Sequence, residues 1–137
     1  MKKINCILLI DDDENDNHFH KINIMEAGVC NHIQIAMNGV EALEYIKKSG
    51  DPNQSESFPK PDIMFLDINM PRMNGFEFLD EYHKLDEKLK SKAMILMLTT
   101  SLNPDDRKKS MSYKEVTGFE NKPLSVEGVI EIVEKYF

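Results

Sequence analysis

Two adjacent carboxylates, Asp11 and Asp12, stand where an apolar run at the start of the chain turns polar. A third, Asp67, closes another short apolar run; a hydroxyl, Thr99, and an amine, Lys122, mark the ends of two more. Acids, hydroxyl and lysine that each follow a strand-like segment matter if the fold brings those segment ends together. Three crowded carboxylates raise one another's cost of ionisation, and such a site favours a hard divalent cation with oxygen ligands and retained waters. Mg²⁺, or Mn²⁺ in its place, suits that donor set.

The elements that would position these residues alternate regularly. Residues 4–10, INCILLI, read as a strand buried on both faces of a parallel sheet. A helix follows from about Glu14 and ends at Gly28, with Phe19, Ile22 and Met25 at helical spacing on its expected inner face. HIQIAM is the second strand, and Asn38 caps a helix whose inward residues are Val40, Leu43 and Ile46. The polar, proline-containing stretch DPNQSESFPKP is a loop inside one domain. Residues 63–66 form a third strand ending at Asp67, and after NMPRMNG a third helix begins near Phe76 and continues through FEFLDEYHKL. AMILML leads to Thr99; Asn103 as cap, Pro104 at the first helical position and Asp105 with Asp106 in the first turn announce the fourth helix. GFEN leads to Lys122, and Ser125 caps a fifth helix with Val126, Val129, Ile130 and Val133 on one stripe.

Five strand–helix units predict an α/β, doubly wound five-stranded parallel sheet with helices on both faces and right-handed crossovers, its working crevice at the carboxyl ends of the strands. All the residues named above then fall on one edge of the sheet.

Together ILLIDDD, MFLDINMPRMNGFEF, MLTTS and FENKP, in that order and over nearly the whole chain, resemble the receiver domain of response regulators, in its stand-alone, chemotaxis-regulator-like form. The resemblance implies the flavodoxin-like strand order 2-1-3-4-5 and a single-domain response regulator of two-component signal transduction over residues 1–137. It implies that Asp67 accepts a phosphoryl group, with Asp11, Asp12, Asp67 and the backbone carbonyl of Asn69 around the metal. Thr99 matches the hydroxyl that contacts the phosphoryl group, Lys122 the lysine that pairs with it, and Pro123 a cis Lys122–Pro123 bond. Phe119 sits at the position of the switch aromatic, where it would act by packing, having no hydroxyl. The span from Thr99 to Lys122 is one residue longer than the commonest spacing, which leaves Thr100 as the alternative hydroxyl; the surplus residue fits most easily in the loop or helix after SLNPDD. The implied partners are a sensor histidine kinase or histidine phosphotransfer protein as donor, and a downstream protein docking on the fourth helix, fifth strand and fifth helix. A phosphorylation-dependent homodimer is compatible with it. Self-phosphorylation and slow autodephosphorylation are implied, without turnover of an external substrate.

Composition narrows the alternatives. The 137 residues suit one compact domain, with apolar and charged fractions of 41% and 30% and no apolar run long enough to span a bilayer. The opening MKKINCILLI is interrupted by Asn5 and stops at Asp11, so it reads as a strand rather than a secretory signal. Cys6 and Cys30 lack metal-type spacing and read as buried free thiols, which points to the cytoplasm. A net charge of −7 argues against nucleic acid as the partner. His18, His20, His32 and His83 read as surface residues, and the nine methionines as core filler, with Met70 and Met73 at the entrance to the acceptor. A flavin module would need glycines and hydroxyls where DDDEND stands, and an aspartyl-phosphatase would need Asp-x-Asp after the first strand. A receiver-like module that binds partners without being phosphorylated is the remaining alternative.

Overall fold

Five parallel strands form the sheet in the order β2-β1-β3-β4-β5, as expected, in a computed structural model that describes residues 3–87, 90 and 93–137. The strands are β1 (Ile4–Ile10), β2 (Cys30–Ala36), β3 (Ile63–Leu66), β4 (Met94–Thr99) and β5 (Val116–Asn121). The helices between and after them are α1 (Glu14–Ala27), α2 (Gly39–Ser49), α3 (Gly75–His83), α4 (Pro104–Met111) and α5 (Val126–Tyr136). Among the described residues no helix is long and apolar enough to cross a membrane.

Because side chains alternate across a strand, the continuous apolar runs feed two cores at once. Leu8, Ile10, Met64, Leu66, Ile95 and Met97 face Ala42 and Ile46 of α2 and Phe78 and Leu79 of α3. Ile7, Leu9, Ile63, Phe65, Leu96 and Leu98 face Ile24 and Ala27 of α1 and Val129, Ile132 and Val133 of α5. The helix starts are chemically specified. Asp13, Asn38, Asn103 and Ser125 each accept backbone N–H bonds, and Asn74 with Glu77 forms a reciprocal capping box. The loop before β3 is tied down by the Tyr45 hydroxyl, which donates to the Pro59 carbonyl at 2.6 Å, and by the edge-on contact of Tyr45 with Phe58.

Several residues lie elsewhere than their pattern predicts. Phe19, Ile22 and Met25 are 49%, 47% and 63% exposed, and α1 instead buries Asn17, His20, Ile24 and Ala27. Asp13 at the N-cap and the bond from Asn17 Nδ2 to the Asp11 carbonyl, 2.8 Å, fix the rotation of the helix so that this polar-to-apolar face meets the sheet. His20 is therefore a buried residue, not a surface one. Val40 is exposed at the outer rim of α2, and Cys30 is only half-buried on the edge strand β2; both cysteines are free. The bond pattern carries β2 back to Cys30 and β5 back to Val116, and α3 stops at His83. In β5, Ile95 pairs with Val116 but Leu96 with Gly118, so Thr117 sits in a bulge. The bulge leaves one residue of β5 without a partner on β4.

Candidate functional site

The sheet ladder continues one residue past its strands at the carboxyl edge. Asp11 N–H donates to the Ala36 carbonyl at 3.1 Å and Asp67 N–H to the Ile10 carbonyl at 3.0 Å, so the two carboxylates leave adjacent strands side by side. Both residues are buried, whereas Asp12 is exposed. One oxygen from each of Asp11, Asp12 and Asp67 lies within 4.8 Å of the others. Three carboxylates at this separation, two of them buried, fit a hard divalent cation, which neutralises charge that the chain leaves uncompensated.

Lys122 supplies the only side-chain cation recorded against this group among the described residues. Its Nζ lies 2.5 Å from Asp11 Oδ2, 2.9 Å from Asp16 Oδ2 and 3.7 Å from Asp67 Oδ1, with the side chain 8% exposed. Burial alone would lower its pKa; hydrogen bonds to Asp11 and Asp16 and the charge of Asp67 outweigh that and raise it, so the amine stays protonated. The opposite holds for Asp67. Burial first, then the neighbouring Asp11, push its pKa up to about 7 against the pull of Lys122.

The remaining loops are held close to Asp67. Lys122 N–H donates to the Thr99 carbonyl at 2.9 Å, and the Lys122–Pro123 peptide is cis. Thr99 is fully buried, and its Oγ1 accepts the Ser101 N–H at 3.1 Å, which leaves the hydroxyl hydrogen for another partner; Thr100 is exposed. Ser101 in turn donates to Asp106 at 2.6 Å, linking the β4 edge to α4. Phe119 is half-buried, opposite Met97 in the sheet and 5.8 Å beneath the Arg107 guanidinium. Asn69 is exposed two residues beyond Asp67, and Met70 and Met73 pack inward from the same loop.

Four contributors escaped the pattern reading. Asp16, Asn17 and His20 form an inward polar face of α1 behind the acids; their 3–4-residue spacing with Ile24 and Ala27 is the signal that marks it. Burial and the Lys122 charge lower the pKa of His20, so it sits there neutral. Gly75 is the fourth: a Cβ there would stand 2.5 Å from the Asp67 carbonyl oxygen and 3.0 Å from Ile68 Cα. Only a glycine lets the start of α3 approach the turn after Asp67, where Gly75 N–H donates to the Ile68 carbonyl at 2.8 Å. The turn itself holds Arg72 at φ 66°, a left-handed position rarely taken by a side-chain-bearing residue.

Residues 7–134 match the family described as the response regulator receiver domain. The chain belongs to this family. It is a response regulator receiver of two-component signalling. Response regulator Rcp1 of Synechocystis sp. is 30% identical over 100 residues, which cover 73% of this chain and 65% of that protein. A two-component response regulator from Cytophaga hutchinsonii superimposes with a TM-score of 0.82 at 28% identity, covering 98% of this receiver and 97% of the other chain. The Mn²⁺-bound form of Rcp1 superimposes with a TM-score of 0.69 at 25% identity, over 95% and 89% of the two chains.

Proposed function

We propose that this receiver works as a response regulator in the cytoplasm, accepting a phosphoryl group on Asp67 from a phosphohistidine of a kinase or phosphotransfer protein. The observation that carries the reading is the burial of Asp67 beside Asp11 and Asp12 with Lys122 Nζ 3.7 Å away. Asp11, Asp12, Asp67 and the Asn69 carbonyl would hold Mg²⁺ or Mn²⁺, which when bound screens the acids and shares the charge of the transferred group. The Mn²⁺-bound state of the similar Rcp1 structure supports that assignment.

An Asp67 carboxylate oxygen forms the new O–P bond as the N–P bond of the phosphohistidine breaks, and the electron pair of that bond returns to the imidazole. The protein need only align the nucleophile and neutralise the equatorial oxygens. Lys122 takes one of these oxygens. The buried Thr99 hydroxyl, already accepting from Ser101, donates to another, and this geometry favours it over Thr100. Drawing Thr99 inward pulls on Ser101, and through it on Asp106 and α4. Phe119, packed beneath Arg107 of α4, registers that movement. The output surface is therefore α4, β5 and α5, where a downstream protein or a second copy of the receiver docks. Water attack later releases phosphate, and no external substrate is turned over.

Intact-protein mass after incubation with a small acyl phosphate and Mg²⁺ tests the reading. One phosphoryl adduct that disappears with a chelator and in Asp67→Asn is the expected result. No adduct, with phosphohistidine donors failing as well, would leave a phosphorylation-independent binding module instead.

A further inference from the structure

Helix α1 brings a fourth carboxylate to the acceptor edge, outside the group of three suited to the cation. We propose that Asp16 is a positioning residue that holds the Lys122 ammonium on the α1 side of the site and competes with a phosphoryl group on Asp67 for it. The inference rests on the phosphoryl-acceptor reading above.

An ammonium has three hydrogens to donate. Two are directed to Asp11 and Asp16, at 2.5 and 2.9 Å, while Asp67 at 3.7 Å lies beyond hydrogen-bond reach. With only 8% of the Lys122 side chain exposed, water offers little replacement, so the choice among carboxylates decides where the amine points. Asp11 belongs to the group that would face the cation, and ligation there draws its charge away from the lysine. Asp16 does not belong to that group and keeps its hold. Its backbone is fixed in the first turn of α1, where its N–H donates to the capping Asp13 Oδ1 at 3.1 Å. For Lys122 to take a phosphoryl oxygen it must turn from Asp16 toward Asp67.

Asp16→Asn keeps the shape of the side chain and removes its charge. Because Asp16 is 40% exposed, its grip on the lysine is that of a partly hydrated ion pair, and its loss should tighten binding of a phosphoryl analogue about threefold to fivefold.

The test is titration of the receiver with beryllofluoride at saturating Mg²⁺, followed by fluorine NMR, in wild type, Asp16→Asn, Lys122→Met and the double variant; circular dichroism checks the folding of each. The gain should appear in Asp16→Asn, vanish when Lys122 is already Met, and be absent in Asp16→Glu. No gain, or an equal gain in the Lys122→Met background as simple removal of negative charge would produce, overturns the positioning role. Absence of beryllofluoride binding by wild type, with Mg²⁺ itself bound, would overturn the acceptor reading and this inference with it.

Discussion

Replacing Asp67 by Asn should stabilise the metal-free protein, and the effect should grow with pH. Burial and the charge of Asp11 move the Asp67 pKa from an ordinary 3.8 to about 7. Between those two values the native protein keeps a proton that the unfolded chain has released, so native stability falls as pH rises through that window and levels off above it. At about 1.4 kcal/mol per pH unit the full cost of the ionised Asp67 carboxylate is roughly 4 kcal/mol. Loop relaxation and hydration through the 10% of the side chain left exposed reduce this, and about 2–4 kcal/mol is expected at pH 8. The amide at position 67 escapes that cost. Thermal unfolding in chelator, followed by circular dichroism from pH 4.5 to 8.5, should show Asp67→Asn melting about 6–12 °C above wild type at pH 8, with the gap closing toward pH 4.5. Other titrating groups are common to both proteins and cancel in the difference. Adding Mg²⁺ at pH 8 should raise wild type much more than the variant, because the cation offsets the repulsion that Asn removes. A variant no more stable than wild type at pH 8, or an advantage independent of pH, would refute the electrostatic account.

Gly75→Ala should destabilise by about 1–3 kcal/mol in urea unfolding and slow adduct formation, since its Cβ meets the Asp67 and Ile68 backbone rather than a flexible side chain. His20→Leu should flatten the acid limb of stability: the native imidazole has a lowered pKa, so stability is lost as pH falls below about 6.5 through that lowered value. The variant's melting temperature relative to wild type should therefore rise from pH 7 to pH 5, and a constant difference would count against a buried neutral imidazole. Asn74→Ala should cost about 1 kcal/mol by equilibrium unfolding, because it removes the side-chain oxygen that accepts the Glu77 N–H and leaves only the Glu77 half of the capping box beside the turn after Asp67.

What could be read from the residues was what depends on local rules. Strand ends at Asp11, Asp67 and Thr99 follow from apolar runs that must be buried on both faces, and the Asn103–Pro104 start of α4 from capping chemistry. The rotation of α1 was misjudged because the apolar triplet Phe19, Ile22, Met25 outweighs a face that begins with Asn17 and His20. Hydrophobicity ranks that polar face last; hydrogen bonding to the Asp11 carbonyl puts it inside. The Lys122–Asp16 bond joins residues 106 apart, and no periodicity carries such a pairing. Gly75 is required by the meeting of two backbone segments, which depends on the path of the loop between them. The bulge at Thr117 follows from how β5 pairs with β4, which the residue types alone do not specify.

The polar face of α1 also explains how a site so costly in charge can sit on an apolar sheet. Asp11 and Asp67 emerge directly from strands buried on both sides, and hydrocarbon packed behind Asp67 would raise its penalty for ionisation further. Asn17 in that position donates to the Asp11 carbonyl, and Asp16 shares with Asp11 the lysine that compensates the acids. The apolar area thereby lost from α1 is supplied lower on the same helix by Ile24 and Ala27, which pack with Val29 and with Val129 and Val133 from α5. The helix is thus divided along its length, its first turns supporting the chemistry and its last turns the fold. A substitution near Asn17 should therefore act mainly on cation and phosphoryl binding, and one near Ile24 mainly on stability.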